Sequence, residues 1–437
     1  MIIGQLPVAD PRDVLSRPFM AGRLRGPNRF CAHPMEGCDA DKVGCPTELT
    51  TRRYVRLAAG GSGLIWMEAC CVDPAGRGNP QQLMIGQNTA LSLKQLVEET
   101  REHATDASGA AQEPAIVLQL THSGRYSKPF GKPKPLVVVP SRVSSESPGT
   151  VIQDAELDHL RDMYIAAAMI ARDCGFDGVD IKVCHGYLLH ELLTARSRKH
   201  SRYGGSFEQR TRLLLDIVAA IRDESPNLAI TIRLNVFDGI PLPEGWGTDG
   251  EGQPDLTEPA SLLQALKRAG VDLVSLAFGN PYVNPYLERQ FDRPIRGGAP
   301  APELPLESIF RIISLTKHIH DLVPDVPLVA TGLSWLRHLG PYVGAGMVAA
   351  KWVELAGFGR LSVANPSFAN RILQDGRIAN NQYCITCSAC VELMRGGCHS
   401  GCVVHDRAIY AEEYRKMLSG VCVSSASDGE RKGQEES

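Results

Sequence analysis

The sequence predicts a (β/α)8 barrel, one large α/β domain carrying a cysteine-rich extension at its C-terminal end. Short apolar runs of strand length alternate with amphipathic segments of helix length from Phe30 to Gly359. Eight such runs occur, and strands apolar on both faces and joined by helices make a parallel sheet that eight units can close. Two Pro/Gly/Ser-rich stretches, 127–150 and 279–305, follow the third and sixth runs, where a barrel builds its functional rim. An open doubly wound sheet is the competing architecture.

Taken in order, FCAHPM (30–35) reads as the first strand, and TELTTRRYVRLAAGG (47–61) as an amphipathic helix stopped by glycines. SGLIWMEACCV (62–72) and AIVLQL (115–120) have buried-strand character. The helix 155–175 ends in a glycine suited to a left-handed stop and leads to the strand DGVDIKV (177–183). Helix 207–224 precedes strand 228–234, helix 256–270 precedes strand 271–278, and helix 305–320 precedes strand 326–332. A last helix leads to WVELAGFGR (352–360). The expected organisation is an N-terminal arm (1–27), the barrel (28–366), a cysteine-rich extension (367–423) and a disordered polar tail (424–437).

At 437 residues the chain exceeds the roughly 250 of a bare barrel, which leaves room for appendages. A net charge of −3 offers no basic face for nucleic acid or an anionic membrane. No apolar run approaches the roughly 20 residues of a membrane span. Asp10, Asp13 and two prolines interrupt the N-terminus as a secretory signal, so a cytoplasmic location is expected. Of 13 cysteines, the seven from Cys31 to Cys184 sit singly or beside apolar residues and read as small buried hydrophobes. Five crowd between Cys384 and Cys402, and in a reducing compartment such a crowd more often binds metal than forms disulfides.

Barrel chemistry is carried at the C-terminal ends of strands. Read in order, those ends supply His33, Met35 and Glu36, then Glu68, then Gln119, His122 and Arg125. Lys182, His185 and Tyr187 follow, then Arg233, Gly332, Gly359 and Arg360. Lys182 and His185 can polarise a carbonyl, and Tyr187 can keep a proton at neutral pH and deliver it to a developing carbanion. Glycines after the seventh and eighth strands, with Arg360 beside them, suit a phosphate held by backbone N–H groups. Arg233 would supply a second positive group for an anionic or electron-rich ligand. The bland alternative has His185 and Tyr187 as packing residues and the glycines as turn formers.

NRFCAHPM (28–35), GLIWMEA (63–69), QLTHSGR (119–125), GFDGVDIKVCHGYLLHELL (175–193), RYGGSFEQRTRLLLDIV (202–218) and GFGR (357–360) resemble, in order, the motifs of the Old Yellow Enzyme family. The resemblance runs from about Asn28 to Pro366. It implies an FMN-binding barrel with a small-molecule substrate and NAD(P)H as electron donor. It further implies cofactor contacts from Pro34, Met35, Glu36 and Ala69, from Gln119 and Arg233 at the flavin ring system, and from Gly332, Gly359 and Arg360 at the phosphate. Tyr187 would be the proton donor, with Lys182 and His185 holding the activating carbonyl. The family commonly has His-x-x-Asn where Lys182 and His185 stand here, and a small Thr or Cys where Glu36 stands.

Cys384-x2-Cys387-x2-Cys390 with a distant Cys402 can ligate zinc or an iron–sulfur cluster. The spacing, three close cysteines and a remote fourth, favours iron–sulfur. The resemblance agrees, because the branch with 2,4-dienoyl-CoA reductase and trimethylamine dehydrogenase carries a [4Fe–4S] cluster just after its barrel. That branch continues into an FAD- and NAD(P)H-binding domain, for which about 35 residues after Cys402 leave no room. Electrons would then come from a separate subunit, or directly from NAD(P)H with a structural cluster. The leading expectation is an ene-reductase, with oxidative N-demethylation drawing on Glu36 as the alternative. A Schiff-base lyase using Lys182 with a zinc-stapled tail, and an inert subunit of a larger complex, are more remote; homo-oligomerisation is compatible with all of them.

Overall fold

The computed structural model describes residues 6–140 and 149–420; the polar tail 424–437 lies outside the described residues. Eight parallel strands close into a barrel. They are β1 (Phe30–Ala32), β2 (Leu64–Cys71), β3 (Ala115–Thr121), β4 (Gly178–Val183), β5 (Ala229–Phe237), β6 (Leu273–Phe278), β7 (Leu328–Ala330) and β8 (Leu355–Phe358). Each pairs with its neighbours in sequence, and β8 closes on β1 through Ala356 opposite Phe30 and Phe358 opposite Ala32. Every residue of these strands is buried. That is the burial expected of a sheet covered on one side by helices and filled on the other by its own side chains. The closed barrel, and not the open sheet, is therefore the architecture.

Each strand is followed by a helix: α1 (Glu48–Ala59), α2 (Ala90–Glu102), α3 (Asp154–Asp173), α4 (Phe207–Glu224), α5 (Thr257–Arg268), α6 (Pro305–Leu322), α7 (Gly340–Ala349) and, after one short turn, α8 (Phe368–Asp375). The helix α4 shows why these segments are helical. The Ser206 hydroxyl caps it by accepting from the Gln209 N–H at 3.3 Å, and Leu213, Leu214, Ile217, Val218 and Ile221 bury one face. The helix α3 stops at Gly175, whose φ of +88° is left-handed. The helix α2 lies in the connector between the second and third strands, a segment not expected from the sequence to be helical.

The N-terminal arm has a structural task. A hairpin of Phe19–Ala21 and Leu24–Gly26 inserts Phe19 and Leu24 among Cys31, Leu64, Trp66, Val117, Leu273, Val329 and Leu355. This apolar cluster closes the N-terminal end of the barrel, and burying each large side chain contributes roughly 1.5–3 kcal/mol.

The cysteine-rich extension folds back over the opposite end as α9 (Ala389–Arg395) and α10 (Arg407–Leu418). Arg52 grips Asp406 through two N–H groups at 2.7 and 2.9 Å, and Arg56 adds a third contact at 2.6 Å. Ser400 N–H donates to the Gly37 carbonyl at 2.6 Å, and Arg289 donates to Ser388 Oγ at 2.8 Å. Among the described residues no helix is long and apolar enough to cross a membrane.

Candidate active site

One cavity opens at the C-terminal end of the barrel. Pro34, Met35 and Glu36 line it from the end of β1, Gln119 from β3, and Lys182, His185 and Tyr187 from the end of β4. Arg233 reaches it from β5, Gly332 from the turn after β7, and Gly359 with Arg360 from the end of β8. The structure thus brings together all the residues singled out from the sequence for catalysis and flavin binding except Ala69. That residue is buried in β2, where its carbonyl accepts from Gln82 Nε2 at 3.2 Å, and it does not line the cavity.

The β4 end makes a tight corner, with His185 at φ +65° and Gly186 at +71°. At Gly186 an added Cβ would fall 2.6 Å from Asn280 Nδ2, so glycine is required both by its backbone and by this close approach. The corner is fastened from below, where His190 Nδ1 accepts from the Gly186 N–H at 2.8 Å. His190 Nε2 in turn lies 3.3 Å from Asp238 Oδ1.

Lys182 is buried with Nζ 3.4 Å from Glu36 Oε1 and 4.2 Å from the centre of the Tyr187 ring. Burial pushes the Tyr187 phenol well above its ordinary range, so it holds its proton at neutral pH. Its hydroxyl lies 3.4 Å from that of Tyr282, whose ring stacks on Tyr126 at 3.7 Å. Sequence reasoning missed Tyr282 and Glu288, both in the long stretch after β6. Glu288 Oε1 meets His185 Nε2 and, at 3.1 Å, Arg233 Nη2.

The cationic side of the cavity fits a phosphate-bearing, electron-poor ring. Arg233 Nε and Arg360 Nη1 are buried without a hydrogen-bond partner among the described residues, which a folded protein tolerates where a ligand supplies the acceptor. Arg289 is pulled down to about 10 by burial and by the neighbouring Arg360 guanidinium, a pairing of like charges that an anion would relieve. Gln119 donates Nε2 to Asp180 Oδ2 at 2.7 Å, which leaves its carbonyl oxygen for a ring N–H. These residues fit FMN.

The extension forms part of the same cavity through Cys390, Val391, Met394, Arg395 and Ser400. Behind it, Cys384, Cys387, Cys390 and Cys402 line one small pocket that Arg360 also borders. Burial raises the Cys384, Cys390 and Cys402 thiols above their ordinary range and takes Cys390 up to about 12. Cys398 packs elsewhere, against Leu393 and Tyr410. Among the described residues no three His, Cys, Asp or Glu side chains converge as ligands of a metal ion. Of the seven earlier cysteines, six are buried and Cys45 is partly so.

A closed barrel with glycines at its last two strand ends, and with Arg233, Arg289 and Arg360 around one cavity that faces a protonated tyrosine, defines a flavin-binding oxidoreductase of the barrel type. The chain belongs to the NADH:flavin oxidoreductase / NADH oxidase family, whose family model matches residues 15–273. An NADH:flavin oxidoreductase of Gibberella zeae is 27% identical over 387 residues, covering 81% of this chain and 84% of the relative. Among solved structures, a 2-naphthoyl-CoA reductase complex superposes with TM-score 0.75 at 20% identity over 92% of this chain. Histamine dehydrogenase from Rhizobium sp. 4-9 superposes with TM-score 0.69 at 21% identity over 90%. This chain spans 58% and 52%, respectively, of the length of those two chains. With the family shown, the protein is an FMN-dependent oxidoreductase, and the Schiff-base reading of Lys182 falls away.

Proposed function

We propose that the protein is an ene-reductase that reduces an activated carbon–carbon double bond with electrons from NAD(P)H. FMN, when bound, supplies the hydride for the alkene β-carbon. Gln119 and Arg233 would hold its ring system, and Gly332, Gly359 and Arg360 its phosphate. Lys182 donates a hydrogen bond to the substrate carbonyl and so stabilises the charge that develops on oxygen. Tyr187 then gives its proton to the α-carbon, and Tyr282, 40% exposed, connects its hydroxyl to solvent. The observation that carries this reading is the protonated Tyr187 on the wall shared with Lys182 and the flavin-fitting arginines.

Oxidative attack on an amine is the second reading, supported by the Glu36 carboxylate in the cavity and by the likeness to histamine dehydrogenase. Glu36, however, already faces the ammonium of Lys182 at 3.4 Å, which weakens its pull on a cationic substrate. We further place a [4Fe–4S] cluster on Cys384, Cys387, Cys390 and Cys402, with zinc as the alternative that iron and sulfide analysis decides. A separate electron-transfer subunit is the partner such a cluster would serve. The primary test mixes reduced holoenzyme anaerobically with 2-cyclohexenone and, separately, with the unsaturated lactam of the same ring size. Recovery of oxidised flavin with formation of a saturated product from at least one of them is expected; formaldehyde release from N-methyl amines by oxidised holoenzyme, with neither alkene reduced, would replace this reading by the second.

A further inference from the structure

His185 is built to accept a hydrogen bond from the substrate. Its Nε2 meets Glu288 Oε1, the same oxygen that receives Arg233 Nη2 at 3.1 Å. A guanidinium can only donate, so this oxygen already acts as an acceptor, and His185 is its second donor. Burial opposes ionisation of Glu288, but the hydrogen bond from His185 and the charges of Arg233 and Lys182 hold the carboxyl below its ordinary range. Arg233 balances that charge. Burial correspondingly holds His185 neutral, pulling it down to about 4.

A neutral imidazole that gives its Nε2 proton to Glu288 carries a lone pair on Nδ1. His185 lines the cavity, and among the described residues nothing donates to that nitrogen. Lys182, three positions earlier on the same wall, has donors only. We infer that Lys182 and His185 present one donor and one acceptor, and that the site selects substrates whose activating carbonyl has an N–H beside it. Unsaturated carboxamides and lactams meet that demand, whereas ketones, aldehydes and esters offer acceptors alone. This inference rests on the reductive reading for the choice of substrate but not for the hydrogen-bond polarity. A site that hydrogen-bonds a substrate N–H discriminates strongly against the analogue lacking it, because its own polar group is left unpaired.

Benzamide and acetophenone are close to isosteric and differ by NH2 against CH3, which makes them a direct probe. Titrated against oxidised holoenzyme and followed by flavin absorbance, benzamide is expected to bind at least tenfold more tightly. In His185→Leu, with flavin content as the check on folding, the two dissociation constants should become similar, while Glu36→Gln should leave the ratio in place. Acetophenone binding as tightly as benzamide to the unmodified protein overturns the inference, as does failure of benzamide to perturb the flavin. A ratio that survives His185→Leu, or one erased by Glu36→Gln, overturns the assignment to His185. Reoxidation of reduced flavin by an unsaturated six-membered lactam or by 2-cyclohexenone, in the same preparation, reports on the ene-reductase reading separately, since failure of both removes that reading and leaves the benzamide-to-acetophenone ratio to stand on its own.

Discussion

The Tyr187 hydroxyl stands 3.4 Å from the Tyr282 hydroxyl, so the proposed acid is one hydrogen-bond step from a half-exposed phenol. Burial alone would leave Tyr187 able to give a proton once but slow to recover it. If the pair works as a relay, Tyr187→Phe should slow substrate reduction by about 10²–10⁴-fold, the usual worth of a general acid, and leave flavin reduction by NAD(P)H nearly unchanged. Tyr282→Phe should cost less, roughly tenfold. Stopped-flow traces of the two half-reactions separate these effects, and equal losses in both would remove Tyr187 from the proton step.

The His190–Gly186 hydrogen bond of 2.8 Å ties the corner carrying His185 and Tyr187 to the buried Asp238. His190→Leu removes the acceptor and should lower kcat about tenfold without changing FMN affinity. His190→Asn places an amide oxygen close to the position of Nδ1 and should recover most of the loss. A fall in flavin content of the same size in both variants would show that His190 merely supports the fold.

Gly332 takes φ +78°, and a Cβ there would come 2.9 Å from Ile312 Cδ1. Gly332→Ala therefore meets both a left-handed backbone penalty, about 1–2 kcal/mol, and a contact that forces the turn after β7 to shift. If that turn holds the FMN phosphate, the affinity for FMN should fall by roughly tenfold or more. Fluorescence titration of deflavinated protein with FMN measures it. At Gly359 the obstructing atom, Met35 Sδ at 3.0 Å, ends a flexible side chain, so Gly359→Ala should be milder.

The eight strands were legible because each is an apolar run too short for a helix and bounded by glycine or polar residues, and burial on both faces makes that signal strong. The rim residues followed from strand ends alone, since barrel geometry fixes where such side chains go. Glu288 was not legible. It lies 103 residues from His185, in a proline-rich stretch that reads as a loop, and only closure of the barrel brings the β6 end beside the β4 end. The sequence likewise suggested a donor in His185, because nothing local shows that its Nε2 is committed to a distant carboxylate. The plug formed by Phe19 and Leu24 was hidden for a similar reason, as three-residue strands carry too little periodicity to recognise. Ala69 was assigned to the cofactor by motif position, whereas the irregular pairing between Met67 and Ala69 in β2 accompanies its absence from the cavity lining.

The four cysteines around one pocket make a prediction about composition. If they hold the proposed cluster, Cys384→Ser or Cys390→Ser should abolish most of the iron and acid-labile sulfide while FMN is retained. Zinc at one equivalent in the unmodified protein, lost in the same variants, would instead identify a mononuclear site. Colour and metal analysis of the same sample distinguish the two.

The clamp of Arg52 and Arg56 on Asp406 predicts how the extension responds to acid. Burial opposes ionisation of Asp406, but hydrogen bonds from Arg52 and Arg56 outweigh it and hold the carboxyl below its usual value. A carboxyl lowered in the folded state binds fewer protons there than in the unfolded chain. Its contribution is therefore complete above the unfolded value of about 3.9 and is lost as pH falls through the lower folded value. Below about pH 4, hydrogen exchange should accelerate in α10 and across the cysteine segment before it does in the barrel strands. Asp406→Asn should bring part of that loosening to neutral pH, at a cost of about 1 kcal/mol for a partly exposed ion pair. Because Cys402 lies four residues before Asp406 and borders the same pocket as Arg360, the variant should also surrender the proposed cluster's metal to a chelator faster, if the four cysteines hold one. Unchanged exchange in α10, at either pH, would mean that the backbone contact from Ser400 to Gly37, and not the ion pair, holds the extension on the barrel.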